Sequence, residues 1–230
     1  MTSIDQAFID AAIADIVYVE GLTRGQSGNI LTDLIKFRIP ITAAQAIGER
    51  FIVLDVHEDL ASSFQGAIFK DRTDGTIYVA NRGTLETQDF LADADLAVLS
   101  GVARNQVAAM VNWWQDVASP AGTAYTTIGA VPTGIPDVRT FFAVDTSRAS
   151  GLLSNELAQA HAQGKVRVVG HSLGGHLTTI LASLFSDQID YTATFNGAGI
   201  NSLLVGNFLR DFLIGTPSGD QAEYFQLTIA

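Results

Sequence analysis

Residues 165–185 read KVRVVGHSLGGHLTTILASLF, and the reading of this stretch decides the architecture of the chain. Val166, Val168 and Val169 are β-branched and are bounded by Gly170, which suits a buried strand. From Leu173 to Phe185 small and apolar residues read as a helix. Between the two stands Gly170-His171-Ser172-Leu173-Gly174, a G-x-S-x-G pentapeptide. Its glycines leave room for a tight turn and for close approach of strand and helix. A serine at such a turn faces the positive end of the helix, where backbone N–H groups are free to hold a developing oxyanion. Ser172 in a plain glycine-rich turn is the bland reading. The order strand, sharp turn, helix favours Ser172 as a nucleophile, with the backbone N–H of Leu173 as an oxyanion donor.

Outward from this stretch, the chain alternates helices with apolar strands. Residues 3–19 place Ile4, Ala7, Phe8, Ala11, Ala12 and Val19 at roughly helical spacing, with Thr2 or Ser3 as a cap. Residues 45–59 fit helix and strand alike. FQGAIFK and TIYVA flank DRTDG, and Asp74-Gly75 is a hairpin turn signal, so residues 64–80 predict an antiparallel pair. Residues 102–118 have helical periodicity. Pro120, Gly122, Gly129, Pro132, Gly134 and Pro136 then mark a long loop region with room for one short strand. A helix starts at Ser154 and ends by Gly164, and strands are expected over 189–197 and 222–230. The pattern predicts a single α/β domain over residues 1–230, built on a mostly parallel central sheet flanked by helices.

Composition narrows the partners. The chain has 13 Lys+Arg against 24 Asp+Glu, a formal charge of −11. That balance argues against nucleic acid, whose phosphates need clustered cations. With no cysteine, disulfides, thiolate metal sites and cysteine nucleophiles are excluded. No His/Asp/Glu cluster has metal-ligand spacing, so neither metal nor cofactor is expected. The first 21 residues carry Asp5, Asp10 and Asp15 and no Lys or Arg, which does not fit a secretory signal. No apolar run is long enough for a transmembrane helix.

VVGHSLGGHLTTILA resembles the nucleophile elbow of lipases in general. The upstream segment GTIYVANRGTLETQDFLADADL narrows the resemblance to the class 3 (fungal-type) lipases of the α/β-hydrolase fold. Arg82-Gly83-Thr84 is similar to that family's Arg-Gly-Ser/Thr turn, Phe90-Leu91-Ala92-Asp93 stands at its Trp-x-x-Asp, and YTATFNGAG resembles its TFGSPRVG segment. The resemblance spans roughly residues 64–230. It implies hydrolysis of a lipid ester, with Thr84 as the second oxyanion-hole residue opposite Leu173. Residues 85–99 would then be a lid, or else a packed surface helix.

One part of the pattern departs from the family. A serine hydroxyl needs a base, usually a histidine oriented by a carboxylate, and in this fold both follow the serine in the chain. The histidines are His57, His161, His171 and His176, and none follows His176. His171 is expected to pack under the turn, His176 to be structural, His161 to lie at the surface and His57 to be remote. Asp187, Asp190, Asp211 and Asp220 precede the strand that the family's acid follows. The resemblance therefore places the acid and the histidine beyond Ala230, making this the N-terminal part of a fold truncated at its C-terminus. It is similar in this to a bacterial lipase secreted without an N-terminal signal, so extracellular localisation is the expectation, with the cytoplasm otherwise. The alternatives are a non-catalytic lipid- or acyl-binding module, a pseudoenzyme, or one chain of a two-chain hydrolase whose second chain completes the triad.

Overall fold

A computed structural model describes residues 3–83, 103–132 and 139–197. The first helix, α1 (Ser3–Ile16), is followed by α2 (Gly28–Ile35) and α3 (Ile41–Arg50). The 45–59 ambiguity resolves as a change of state inside it, because α3 runs directly into β1 (Phe51–Asp59). Strands β2 (Phe64–Asp71) and β3 (Ile77–Asn81) form the expected antiparallel pair. The turn between them closes on Gly75 at φ 80°, while Asp71 and Asp74 accept bonds from the N–H groups of Thr73 and Thr76. There follow α4 (Arg104–Ala118), β4 (Ala124–Pro132), β5 (Arg139–Arg148) and α5 (Ser154–His161). The series ends with β6 (Val166–His171), α6 (Leu173–Leu184) and β7 (Tyr191–Phe195).

Five strands form one sheet in the order β1-β2-β3-β6-β7. The α/β class holds, but the described sheet is mixed rather than mostly parallel. β3, β6 and β7 run parallel, whereas β1–β2 and β2–β3 are antiparallel. The short connections explain the antiparallel half, since a tight turn joins only antiparallel strands and parallel neighbours need a crossover. The Gly/Pro-rich region is also more regular than expected. Residues 124–132 and 139–148 pair antiparallel as a separate two-stranded sheet, with a bulge at Thr127/Ile128.

Alternation along the strands sorts side chains between two cores. Ile77 and Val79 of β3, with Val166 and Val168 of β6, face α4, α5 and α6, where Val107, Met110, Val111, Trp114, Leu157, Leu177 and Leu181 meet them. Tyr78 and Ala80 of β3, with Val169 of β6, face α1, α2 and α3 through Ile13, Ile16, Val17, Leu31 and Ile47. Burying each of the larger side chains stabilises the fold by about 1.5–3 kcal/mol relative to exposure. The sheet is thus the middle of three layers. Across 157 residues of chain, Asp10 of α1 takes both donors of Arg167 on β6, at 3.1 and 2.8 Å, which fixes the first helix against the strand that precedes Ser172.

Candidate active site

The site forms where β6 ends. β6 runs to His171, and α6 begins at Leu173, leaving Ser172 alone to turn the chain. Ser172 adopts φ 57°, ψ −127°. A side chain tolerates this region poorly, at a cost of about 1–3 kcal/mol, and such strain persists only where the surroundings over-determine it. Those surroundings are in place. The Ser172 N–H donates to Phe195 O at 2.9 Å, so β7 holds the turn from one side. The Ser172 carbonyl accepts from Gly175 N–H at 2.9 Å, which closes the first turn of α6.

The glycines of the pentapeptide allow this packing. A Cβ on Gly170 would meet Thr178 Oγ1 at 2.6 Å, and one on Gly174 would come within 3.0 Å of the Asn81 carbonyl group at the end of β3. The helix therefore starts against the neighbouring parallel strand, with no side chain between. Thr178, fully buried, accepts from Asn81 Nδ2 at 3.1 Å and pins the same junction.

The end of β3 passes over the start of α6. Gly83 lies so close that an added Cβ would sit 3.2 Å from Leu173 N and 3.0 Å from Gly174 N. Those N–H groups belong to the first turn of the helix, where no intrahelical acceptor exists, and they carry its positive end. Leu173 N thus lies beside the turn at Gly83. Thr84 lies outside the described residues, as do the proposed lid over residues 85–99, Phe90 to Asp93, Asp211, Asp220 and the strand expected over 222–230. The approach to Thr84 is well fixed: Arg82 N–H donates to Gln65 O at 2.9 Å, and the Arg82 side chain bonds Gln65 Oε1.

The histidines divide by position. His171 is exposed, and its ring meets Tyr18 edge-on at 6.4 Å. His176 is buried on α6, one turn after Ser172. His161 Nδ1 lies 2.9 Å from Asp190 Oδ1. Asp190 Oδ2 accepts from Val166 N–H, which puts this pair at the opposite end of β6, about 17–20 Å of strand from Ser172. His57 shares a row of the sheet with Gly170 through Gly66 and Asn81, but three strand spacings separate them, about 14 Å. Its ring stacks on Trp113, and burial pushes its pKa down.

Tyr18 was not singled out by the sequence. Its hydroxyl accepts from Gly83 N–H at 2.8 Å and donates to the His171 carbonyl at 3.1 Å. The signal was a single polar tip in an apolar run after α1, which by itself points to nothing.

The sheet and its two covering layers form a three-layer α/β arrangement with a strained serine between β6 and α6. No family model and no curated protein matches the chain. Among solved structures it is similar to the Lip2 lipase from Yarrowia lipolytica, at 14% identity and TM-score 0.44, covering 96% of this chain and 71% of that one. A nonglycosylated form of the Yarrowia lipolytica lipase gives 14% identity and TM-score 0.47, covering 92% of this chain and 65% of that chain. The Rhizomucor miehei lipase propeptide complex gives 15% and 0.42, covering 94% of this chain and 60% of that chain. The expected likeness to a bacterial secreted lipase has no counterpart among these three. Among the described residues, no helix is long and apolar enough to cross a membrane.

Proposed function

We propose that this chain is a serine hydrolase of carboxylic esters, lipase-like in its use of lipid esters, with Ser172 as nucleophile. The observation that carries the reading is the Ser172 backbone at φ 57°, ψ −127° between a buried strand and a helix N-terminus. A turn that merely connects β6 to α6 gains nothing from placing a non-glycine residue there, whereas a nucleophile gains exposure of its Oγ above the helix. The Oγ attacks the acyl carbonyl carbon while a base removes its proton. The carbonyl electrons move onto oxygen, held by Leu173 N–H and by Thr84. Collapse expels the alcohol, protonated by the same base, and water then releases the acid from the acyl-enzyme.

The base and its carboxylate are proposed to come from outside the described residues, from further along the polypeptide or from a second chain. Substrates with a lipid acyl chain and action outside the cell complete the proposal. A non-catalytic acyl-binding module is the second reading, favoured by the placement of His57 and His161 away from Ser172. One experiment separates them. The chain and its Ser172→Ala variant are compared in hydrolysis of a short-chain p-nitrophenyl ester and in covalent labelling by a fluorophosphonate. Turnover and labelling in the parent alone support the hydrolase, and their absence from both, with the polypeptide extended beyond Ala230 or a second chain supplied, supports the binding module.

A further inference from the structure

We infer that Tyr18 is the positioning residue of the oxyanion hole: its hydroxyl holds the turn at Gly83 in register with the nucleophile turn at His171. This rests on the proposed hydrolase reading. The two halves of an oxyanion hole come from separate segments here, Leu173 after β6 and the turn after β3. Strand pairing aligns those segments only as far as Asn81↔Gly170. Beyond that pair, the Tyr18 hydroxyl bonds both, accepting from Gly83 N–H at 2.8 Å and donating to His171 O at 3.1 Å. One oxygen thus reads the spacing between the residue before Thr84 and the residue before Ser172.

The hydroxyl is itself held. Tyr18 is 8% exposed, and the guanidinium of Arg38 lies 4.8 Å from its ring centre. Arg38 in turn bonds Asp15 Oδ1 from Nε at 3.0 Å and Nη2 at 2.8 Å. Burial raises the Tyr18 pKa, so the group stays neutral and has both a lone pair and a proton to give. The bond to Gly83 is buried, so without it that N–H must move to find water. A fixed oxyanion donor has to stay within a few tenths of an ångström of the position the charge will occupy, and removal of one donor lowers kcat by about 10²–10³-fold. A displaced donor falls short of that, by about 10-fold or more.

The test is Tyr18→Phe in the full chain, which keeps the ring and removes the oxygen. Ester hydrolysis should show kcat reduced about 10-fold or more with KM changed less than about twofold, because the hydroxyl acts on the transition state and not on substrate binding. The melting temperature should move by a few degrees at most. Amide exchange resolved at single residues should show Gly83 exchanging at least about 10-fold faster in the variant, with the β2 amides unchanged. An unaltered kcat in an active enzyme, or a loss carried by KM, overturns the inference. So does an unaltered Gly83 exchange rate. If the parent shows no turnover even with the polypeptide extended beyond Ala230 or a second chain supplied, the hydrolase reading fails on its own, and Gly83 exchange still decides whether Tyr18 holds the two turns together.

Discussion

Replacing Gly174 with alanine sets two physical effects of opposite sign against each other. In a helix, Gly→Ala gains up to about 1 kcal/mol through backbone entropy. At this position, though, the new Cβ would come within 3.0 Å of the Asn81 carbonyl group and lie 3.0 Å from Gly83 N, whereas ordinary contact begins at 3.4 Å. Both neighbours are backbone, one of them in a paired strand, so neither can rotate away. Relief from the carbonyl oxygen requires α6 to retreat from β3 by more than about an ångström, and overpacking of this kind costs about 1–3 kcal/mol. With the clash at the upper end and the helix gain subtracted, the variant should be less stable by about 2 kcal/mol. For a chain of this size that lowers Tm by about 4–8 °C, readable by circular dichroism or calorimetry. Gly175→Ala, where the nearest atom is Gly197 Cα at 2.9 Å and the next is Gly170 O at 3.3 Å, should lose less. A Gly174→Ala variant melting at or above the parent would refute the claim that helix and strand meet backbone to backbone.

Three further outcomes are expected. Ser172→Gly should be more stable than Ser172→Ala by about 1 kcal/mol, since both lose the hydroxyl and only glycine relieves φ 57°; equal melting temperatures would remove the argument from strain. Arg167→Leu leaves the buried Asp10 carboxylate without its bidentate partner and should cost about 3 kcal/mol, seen as a lower urea midpoint. His57 has its pKa lowered by burial from 6.5, so its contribution is fully present above that value. As pH falls below it, the unfolded chain takes up a proton before the folded one does, and stability declines until the folded pKa is passed. Urea midpoints measured from pH 7.5 to 5 should therefore fall less steeply in His57→Phe than in the parent.

The elbow was legible because its parts are local: three β-branched residues, two flanking glycines and an apolar helix lie within one stretch. The β2–β3 hairpin was legible for the same reason, through Asp74-Gly75. Residues 45–59 were ambiguous because α3 gives way to β1 at Arg50/Phe51 with no loop between them, and Gly48 lies inside the helix rather than after it. The β4–β5 pair was hidden for another reason. Much of its described surface is exposed, so it carries no one-sided apolar pattern, and Gly129 and Pro132 read as breakers. Tyr18 could not have been found from spacing at all. Its partners are the backbone of Gly83 and His171, 65 and 153 residues away, and backbone partners leave no signature in residue type.

The bond from Asp10 to Arg167 and the pairing of Ile77 with Val166 also have a consequence in time. At about 5–20 residues per second, a ribosome needs roughly 8–30 s to deliver Arg167 after Asp10. From the time β3 is made until β6 follows, β3 presents an open edge, because its parallel neighbour has not been made. Ser172 is forced into its strained turn only once β6, α6 and β7 close around it. A nascent chain therefore carries a serine of ordinary backbone geometry, and whatever reactivity the turn confers begins only when the chain is folded past Phe195.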